Sequence, residues 1–166
     1  GMMIVGAVLG FITAIETGSA WLGLLGAIIG GMLISLIFAI LTQLLLANQV
    51  ASGLALTLFG LGLSSMVGNS YTGLKPPAFN SIEIPILSDI PFIGAAILNH
   101  DPVVYIGLLI VTVVYYFLNK TNKGLILKAV GENHNAAHAL GYKVIRIRIT
   151  AILFGGACAG LGGAYI

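Results

Sequence analysis

Long apolar segments make up most of this 166-residue chain, and they leave few folds open to it. A helix needs about 20 mainly apolar residues to cross a bilayer. The chain has five candidate spans, one of them short: Met2–Ile15, Trp21–Leu46, Val50–Val67, Val103–Leu118 and Ile149–Ile166. Only 7% of the residues are charged, against about 25% in a soluble domain. The composition predicts an all-α fold, a polytopic transmembrane helical bundle of about five spans.

The positive charges are concentrated in one stretch, residues 119–148. It holds six of the seven Lys and Arg residues: Lys120, Lys123, Lys128, Lys143, Arg146 and Arg148. Basic loops between membrane spans stay on the cytoplasmic side. We therefore expect 119–148 and the short Ala47–Gln49 connection inside, and Glu16–Ala20 and residues 68–102 outside. The positive charge is explained by topology, so nucleic acid is not an expected partner.

Residues 68–102 contain all five prolines of the chain. Proline lacks an amide donor and fixes φ, so this segment cannot be one spanning helix. It is also too apolar for a solvated linker. We expect an extracytoplasmic cap with a short helix at Phe92–Leu98; an irregular loop lying on the outer helix ends remains the alternative.

Glycine pairs spaced four residues apart recur within the spans. They are Gly6 with Gly10, Gly26 with Gly30, and Gly156 with Gly160. Such pairs let helix backbones approach closely in a membrane, where no hydrophobic effect drives helices together. We expect these glycines to lie at helix–helix contacts.

The chain begins and ends within hydrophobic sequence. We therefore expect residues 1–166 to be one transmembrane domain within a longer protein.

Polar residues accumulate in the segment that begins at Asn48. Amides and hydroxyls at membrane depth need partners, and glycine-interrupted helices near the midplane often line a pathway. Candidates for a translocation path are Asn48, Gln49, Ser52 and Thr57. For each hydroxyl the alternative is a hydrogen bond to the carbonyl of its own helix, four residues back.

Two features that the sequence lacks, charged residues inside the spans and a phosphate-binding loop, reduce the number of candidate functions. No Asp, Glu, Lys, Arg or His lies inside a predicted span, Glu16 being at an end. Proton-coupled and ion-coupled carriers usually bury such a group. The sequence also has no G-x-x-x-x-G-K-[ST] phosphate loop, so ATP hydrolysis would fall to another chain.

The basic stretch contains GENHNAAHALG, which predicts a helix of about two turns, too short to be stable alone in water. Gly131 opens a turn, Asn133 caps the helix start, and Gly141 ends the helix. Glu132, His134 and His138 could in principle hold a metal. Imidazoles at an exposed or interface position are the favoured interpretation, and we expect no metal site.

These residues resemble the permease subunits of bacterial ABC importers for branched-chain amino acids, simple sugars and nucleosides. The resemblance rests on AVGEN, the following AA-x-x-x-G and the later FGGACAGLGGAY. NQVASGLALTLFGLGLSS resembles the pathway segment of the nucleoside branch. The resemblance of the AVGEN segment implies a coupling helix that docks on an ATP-binding subunit. The residues that match this helix are Gly131, Glu132, Asn133, Ala136, Ala137 and Gly141.

The resemblance also implies the partners and the location. We expect an ATP-binding cassette subunit that holds ATP and Mg, a second permease subunit in a homodimer or heterodimer, and an extracytoplasmic substrate-binding protein. The chain itself would have no catalytic residue and no cofactor, and would lie in the bacterial plasma (inner) membrane. Neutral hydrogen-bonding groups in the spans favour a nucleoside or simple sugar. A secondary transporter or channel subunit is the alternative, and a structural scaffold a third.

Overall fold

The computed structural model describes residues 1–71, 73–74 and 102–165, and the regular elements in these ranges are all helices. The α-helices are α1 Met2–Thr17, α2 Ala20–Ala39, α3 Gln49–Gly68, α4 Pro102–Lys120, α5 Asn122–Glu132, α6 His134–Ala139 and α7 Val144–Tyr165. The chain forms two compact units, Gly1–Pro77 with Ala129–Ile166, and Ala78–Lys128.

Four helical segments are long and apolar enough to cross a membrane, and α1 is apolar but shorter. They are Ala20–Leu44, Gln49–Tyr71, Pro102–Lys120 and Val144–Tyr165. The predicted helical bundle is confirmed. The last helix starts at Val144 rather than at the predicted Ile149, because the basic side chains at its start do not interrupt helical hydrogen bonding: the amide of Ile147 donates to the carbonyl of Lys143 (3.2 Å).

Glycines form the contacts between α1, α2 and α7. A Cβ on Gly6 of α1 would lie 2.6 Å from the Cα of Gly160 in α7, and a Cβ on Gly10 would lie 2.9 Å from the Cβ of Ala27 in α2. Ala27 is itself completely buried. Backbones this close leave no room for side chains, and close packing of this kind holds helices together in lipid. The predicted packing role of the glycine pairs is confirmed.

The pairing of these helices fixes their directions. Along α2, from Gly23 to Gly31, the residues of α1 and α7 that lie against it have decreasing residue numbers. The helix α2 therefore runs antiparallel to both α1 and α7. The last turns of α2 and the first turns of α7 therefore lie at the same end of this unit. This agrees with the predicted alternation, in which Ala47–Gln49 and the start of α7 share one side of the membrane.

The connection between α2 and α3 is more irregular than predicted. The helix α2 widens into a π-helical turn, Ile40–Leu44, before it ends. Leu46 then takes a left-handed conformation with φ of 51°. The carboxamide oxygen of Asn48 caps α3 by accepting from the amides of Val50 (2.9 Å) and Ala51 (3.2 Å). An asparagine cap of this kind fixes where a helix begins.

One stripe of α3 faces α1. Ser52, Leu56 and Gly60 are its buried residues, four apart, and a Cβ on Gly60 would lie 3.3 Å from Val5 Cγ2. At the other end of α3, the Tyr71 hydroxyl donates to Glu16 Oε1 at the end of α1 (2.6 Å). The two helices therefore run in parallel and are joined at one end by a polar contact.

In the second unit, α4 is followed directly by α5. The backbone turns at Thr121, whose hydroxyl accepts from the amide of Gly124 (3.1 Å) and so caps α5. The Lys128 ammonium donates to Asn119 Oδ1 (2.7 Å) across this turn. The predicted extracytoplasmic cap, 68–102, and its short helix at Phe92–Leu98 fall mostly or wholly outside the described residues.

Candidate functional site

The helix α6 is short, and both of its ends are capped by its own sequence. The carboxamide oxygen of Asn133 accepts from the amide of Ala136 (3.0 Å). At the other end the amide of Gly141 donates to the carbonyl of His138 (2.9 Å), and the amide of Tyr142 donates to that of Ala137 (3.2 Å). This pair of bonds is a Schellman motif, which satisfies the last carbonyls of a helix. The predicted caps are confirmed.

Gly141 is needed for this turn because its φ is 84°. Residues with a Cβ adopt this left-handed region at a cost of about 1–2 kcal/mol. The chain can therefore turn sharply from α6 into α7 at this position.

Two sequence-based assignments in this segment need correction. Gly131 does not open a turn; it lies in the last turn of α5, and the amide of Asn133 still bonds to the carbonyl of Ala129 (3.0 Å). One glycine costs a helix only about 1 kcal/mol, too little to end this one. Ala137, assigned to the coupling surface, is 3% exposed, so its side chain faces its own chain.

Other side chains in and beside α6 are exposed. Glu132, Ala136, His138 and Leu140 are exposed. Leu140, at 77% exposure, is the most exposed large apolar side chain of this segment. A leucine at the end of a two-turn helix, directly before the glycine that stops it, is a signal that could have indicated an apolar contact residue.

The four candidates for the translocation path occupy different environments on α3. Asn48 is the helix cap, and Gln49 is exposed at the first turn. Ser52 is buried on the stripe that faces the neighbouring helices. Thr57 is exposed, and its hydroxyl donates to the carbonyl of Gly53 four residues back (2.9 Å). The structure therefore does not bring the four side chains together.

The whole chain, residues 1–166, matches the family described as the permease component of branched-chain amino acid transport systems. The chain belongs to this family. It is a multi-pass protein of the cell membrane.

Three curated proteins are similar to this permease chain, and each is a permease of an ABC transporter. It is 38% identical over 170 residues to a candidate glucose ABC transporter permease protein of Haloferax volcanii, covering 100% of this chain and 52% of the relative. It is 33% identical over 177 residues to the guanosine ABC transporter permease protein of Bacillus subtilis, covering 98% and 55%. The nucleoside ABC transporter permease protein of Lactococcus lactis is 33% identical over 176 residues, covering 99% and 55%.

The permease chain spans about half the length of the curated relatives it matches. No solved structure matches it.

The helix α5 is the element of this permease chain that sequence analysis missed. Residues 119–148 read as a basic loop, but 11 of them form α5. Thr121 before Asn122 is a typical N-cap residue, and the apolar residues that follow suit a helix.

Proposed function

We propose that this chain forms part of the translocation path of an ATP-driven importer for a small polar solute, a nucleoside or a simple sugar. Family membership supports the importer, because the family is that of transport-system permease components. The names of the relatives, which refer to glucose, guanosine and nucleosides, support the solute class.

The main support for the proposed mechanism is the geometry of the short helix α6. This helix is capped at both ends, and its residue Ala137 is buried against the rest of the chain. In this proposal α6 docks on an ATP-binding cassette subunit, which holds ATP and Mg and hydrolyses the nucleotide. Gly131, Glu132, Asn133, Ala136, Ala137 and Gly141 form or support the coupling segment. Movement of the ATP-binding subunit passes through α6 to α7, which packs on α1 and α2 through Gly160.

The remaining partners follow from the same mechanism. A second permease subunit, identical or related, completes the path across the bilayer. An extracytoplasmic substrate-binding protein delivers the solute on the side opposite α6. The permease chain contributes binding and movement, and the chemical step takes place on the ATP-binding subunit.

In the proposed path α3 offers neutral hydrogen-bonding groups to the solute. Within the described spans, Glu16 in the last turn of α1 is the one Asp, Glu, Lys or Arg residue of α1, α2 and α3. A solute with hydroxyl and amide groups suits such a surface better than an amino acid, whose carboxylate needs a cation or a helix N-terminus. Of the proposed path residues in α3, Gln49 and Thr57 are exposed.

Uptake by the intact system tests the proposal. The full-length permease with its cognate subunits, reconstituted in liposomes, is supplied with labelled guanosine, uridine, glucose, ribose or leucine. We expect ATP-dependent accumulation of a nucleoside or a sugar. Uptake of leucine alone would show that the solute class is wrong, and uptake that needs no ATP would show that the chain is not part of an ATP-driven importer.

A further inference from the structure

The turn from α4 into α5 carries three exposed lysines that have no part in the proposed transport mechanism. We call this surface the basic turn and define it by Lys120, Lys123 and Lys128. The sequence has no Asp or Glu between Pro102 and Gly131. Lys120 and Lys123 form no ion pair with any residue in the described ranges. The basic turn is therefore a surface of one charge sign that the described helices do not neutralise.

The backbone packs the two helices tightly at this turn. A Cβ on Gly124 in α5 would lie 2.7 Å from the Cα of Leu118 in α4, so the first turn of α5 lies directly against the last turn of α4. The Lys128 ammonium donates to Asn119 Oδ1 (2.7 Å). Because Asn119 is the neighbour of Lys120, this bond holds the Lys128 charge close to the end of α4. The three lysines of the basic turn are thus gathered around the junction of the two helices.

The last turns of α4 indicate how deep the basic turn lies in a membrane. Tyr115 and Tyr116 are exposed, at 69% and 64%. Tyrosines of a spanning helix concentrate at the boundary between hydrocarbon and headgroups. Lys120, the last residue of α4, follows them by about 6–8 Å along the helix. This distance brings the basic turn to the level of the headgroups when α4 crosses the bilayer.

The helix α5 has the side chains of a helix that lies at the membrane surface. Leu125 is 55% exposed, and Ile126 and Leu127 are only half-buried. Helices that combine exposed apolar side chains with lysines bind at the boundary between headgroups and acyl chains. Lys123 lies in the first turn of α5, where the helix dipole disfavours a cation and no acidic residue compensates. An anion beside Lys123 would offset that cost.

We propose that the basic turn binds the phosphate of an anionic phospholipid headgroup, with Leu125 inserted among the upper acyl-chain carbons. Lys120, Lys123 and Lys128 supply the positive charge. A lipid with a net negative charge is preferred, because the choline group of phosphatidylcholine neutralises its own phosphate. This inference goes beyond the proposed function and does not depend on it, since it concerns the lipid around the chain rather than the solute or the energy source.

An ATP-binding subunit is the competing partner for the basic turn. Lysine is depleted at protein–protein interfaces, whereas basic residues directly beside a spanning helix are attracted to anionic lipids. The basic turn also follows two exposed tyrosines of α4, Tyr115 and Tyr116. Both its composition and its depth therefore favour a lipid over a protein.

The experiment measures the lipid preference of the full-length permease in detergent by native mass spectrometry. The protein is mixed with equal amounts of phosphatidylglycerol and phosphatidylcholine that have the same acyl chains, at low and at high ammonium acetate concentration. The test variant is Lys120→Gln with Lys123→Gln. The matched control is Lys143→Gln with Arg146→Gln, which removes two positive charges from exposed residues at the start of α7.

A third variant, Asn119→Ala, keeps every charge but removes the acceptor that holds Lys128. It tests the arrangement of the basic turn separately from its charge. Inorganic phosphate, added at the lipid concentration, tests whether the headgroup alone is recognised.

We expect the wild type to retain phosphatidylglycerol in clear preference to phosphatidylcholine, and less so at high salt. The test variant should lower this preference about 10-fold or more. Asn119→Ala should lower it by a smaller factor, because Lys128 is no longer held beside the other lysines. The control should keep the wild-type preference. Inorganic phosphate should not displace the lipid, because it has no acyl chain to contact Leu125.

Four results would overturn the inference: a wild type with no preference between the two lipids, a wild-type preference in the test variant, an equal loss in the control, or displacement of the lipid by inorganic phosphate. An equal loss in the control would indicate a general effect of positive charge. If the test variant is not monodisperse, Asn119→Ala decides in its place, and an unchanged preference there would reject the proposal.

The Kd of the test variant for its cognate ATP-binding subunit is measured alongside, in nanodiscs of phosphatidylcholine. Weakened binding of that subunit together with an unchanged lipid preference would assign the basic turn to the subunit instead. None of these measurements depends on solute uptake, so the inference and the proposed function can fail independently.

Discussion

Single glycines decide how closely the helices of this chain approach. Gly160 lies in α7 against the backbone of Ala27 and Gly31 in α2, whereas Gly162, two residues further on, has no atom within 4 Å of its Cβ position. The two residues are chemically identical and lie in the same helix. Only their direction differs, so they should respond differently to the same substitution.

We predict that Gly160→Ala destabilises the bundle by about 1–3 kcal/mol, the usual cost of overpacking. The added methyl group would collide with the backbone of Ala27, which cannot move aside as a flexible side chain can. Gly162→Ala is the matched control and should be neutral or slightly stabilising, because alanine favours helix. Thermal unfolding of the full-length protein in detergent measures both; equal midpoints would contradict the packing assignment.

At Gly141 the constraint is conformational rather than steric. Its Cβ position is open, but its φ is 84°. Gly141→Val should therefore distort the turn after α6 and lower solute uptake per ATP hydrolysed several-fold in the intact transporter. Gly141→Asn should stay close to wild type, because asparagine tolerates the left-handed region. If the two variants couple equally well, the turn has no role in coupling.

Among the elements, α3 combines a packed side with an open one. Ser52, Leu56 and Gly60 face the neighbouring helices, while Thr57 lies on the exposed side. The hydroxyl of Thr57 donates to its own helix, which satisfies its hydrogen. Its oxygen can still accept a hydrogen bond from a solute, so the role of Thr57 in the translocation path stays a prediction.

We predict that Thr57→Val slows transport with little loss of expression, because valine keeps the shape and removes the hydroxyl. Thr112→Val in α4 is the matched control: Thr112 is also exposed and also donates to the carbonyl four residues back, that of Leu108 (2.9 Å). Initial uptake rates at saturating solute, normalised to the amount of permease in the membrane, provide the measurement. Similar rates for Thr57→Val and the wild type would limit the role of the Thr57 hydroxyl to the hydrogen bond within its own helix.

On the scale of the molecule, the unit that contains α1, α2, α3 and α7 has two polar ends. One end holds the Ala47–Gln49 connection and the start of α7; the other holds Glu16 and Tyr71. Because α2 runs antiparallel to α1 and α7, these ends lie on opposite sides of the membrane. By the positive-inside rule, Arg146 and Arg148 at the start of α7 predict that this end lies in the cytoplasm.

We predict that a cysteine at Lys143 is shielded from impermeant thiol reagents in intact cells, while a cysteine at Thr17 is labelled. The background must first carry Cys158→Ala, since Cys158 is the one cysteine of these 166 residues, and any cysteine in the rest of the full-length protein is replaced as well. Permeabilised cells should label both positions, which controls for accessibility. Labelling of Lys143→Cys but not of Thr17→Cys in intact cells would invert the topology.

The sequence by itself determined the features that depend on local chemistry. Span positions follow from continuous hydrophobicity, since a bilayer sets the length a helix must have. The caps of α6 at Asn133 and Gly141 follow from side chains that bond within one turn or permit one backbone conformation. The resemblance of the AVGEN motif to importer permeases was enough to find the family.

Only the tertiary structure decided which side of each helix is packed. The spans are apolar nearly all round, so their sequences carry no stripe that distinguishes Gly160 from Gly162 or Ser52 from Thr57. The same limit applies to α6, where burial separates Ala137 from the exposed Ala136 and Leu140. The physical reason is that rotation about a helix axis is fixed by close contact with neighbouring backbones, and in lipid that contact leaves no hydrophobic pattern in the sequence.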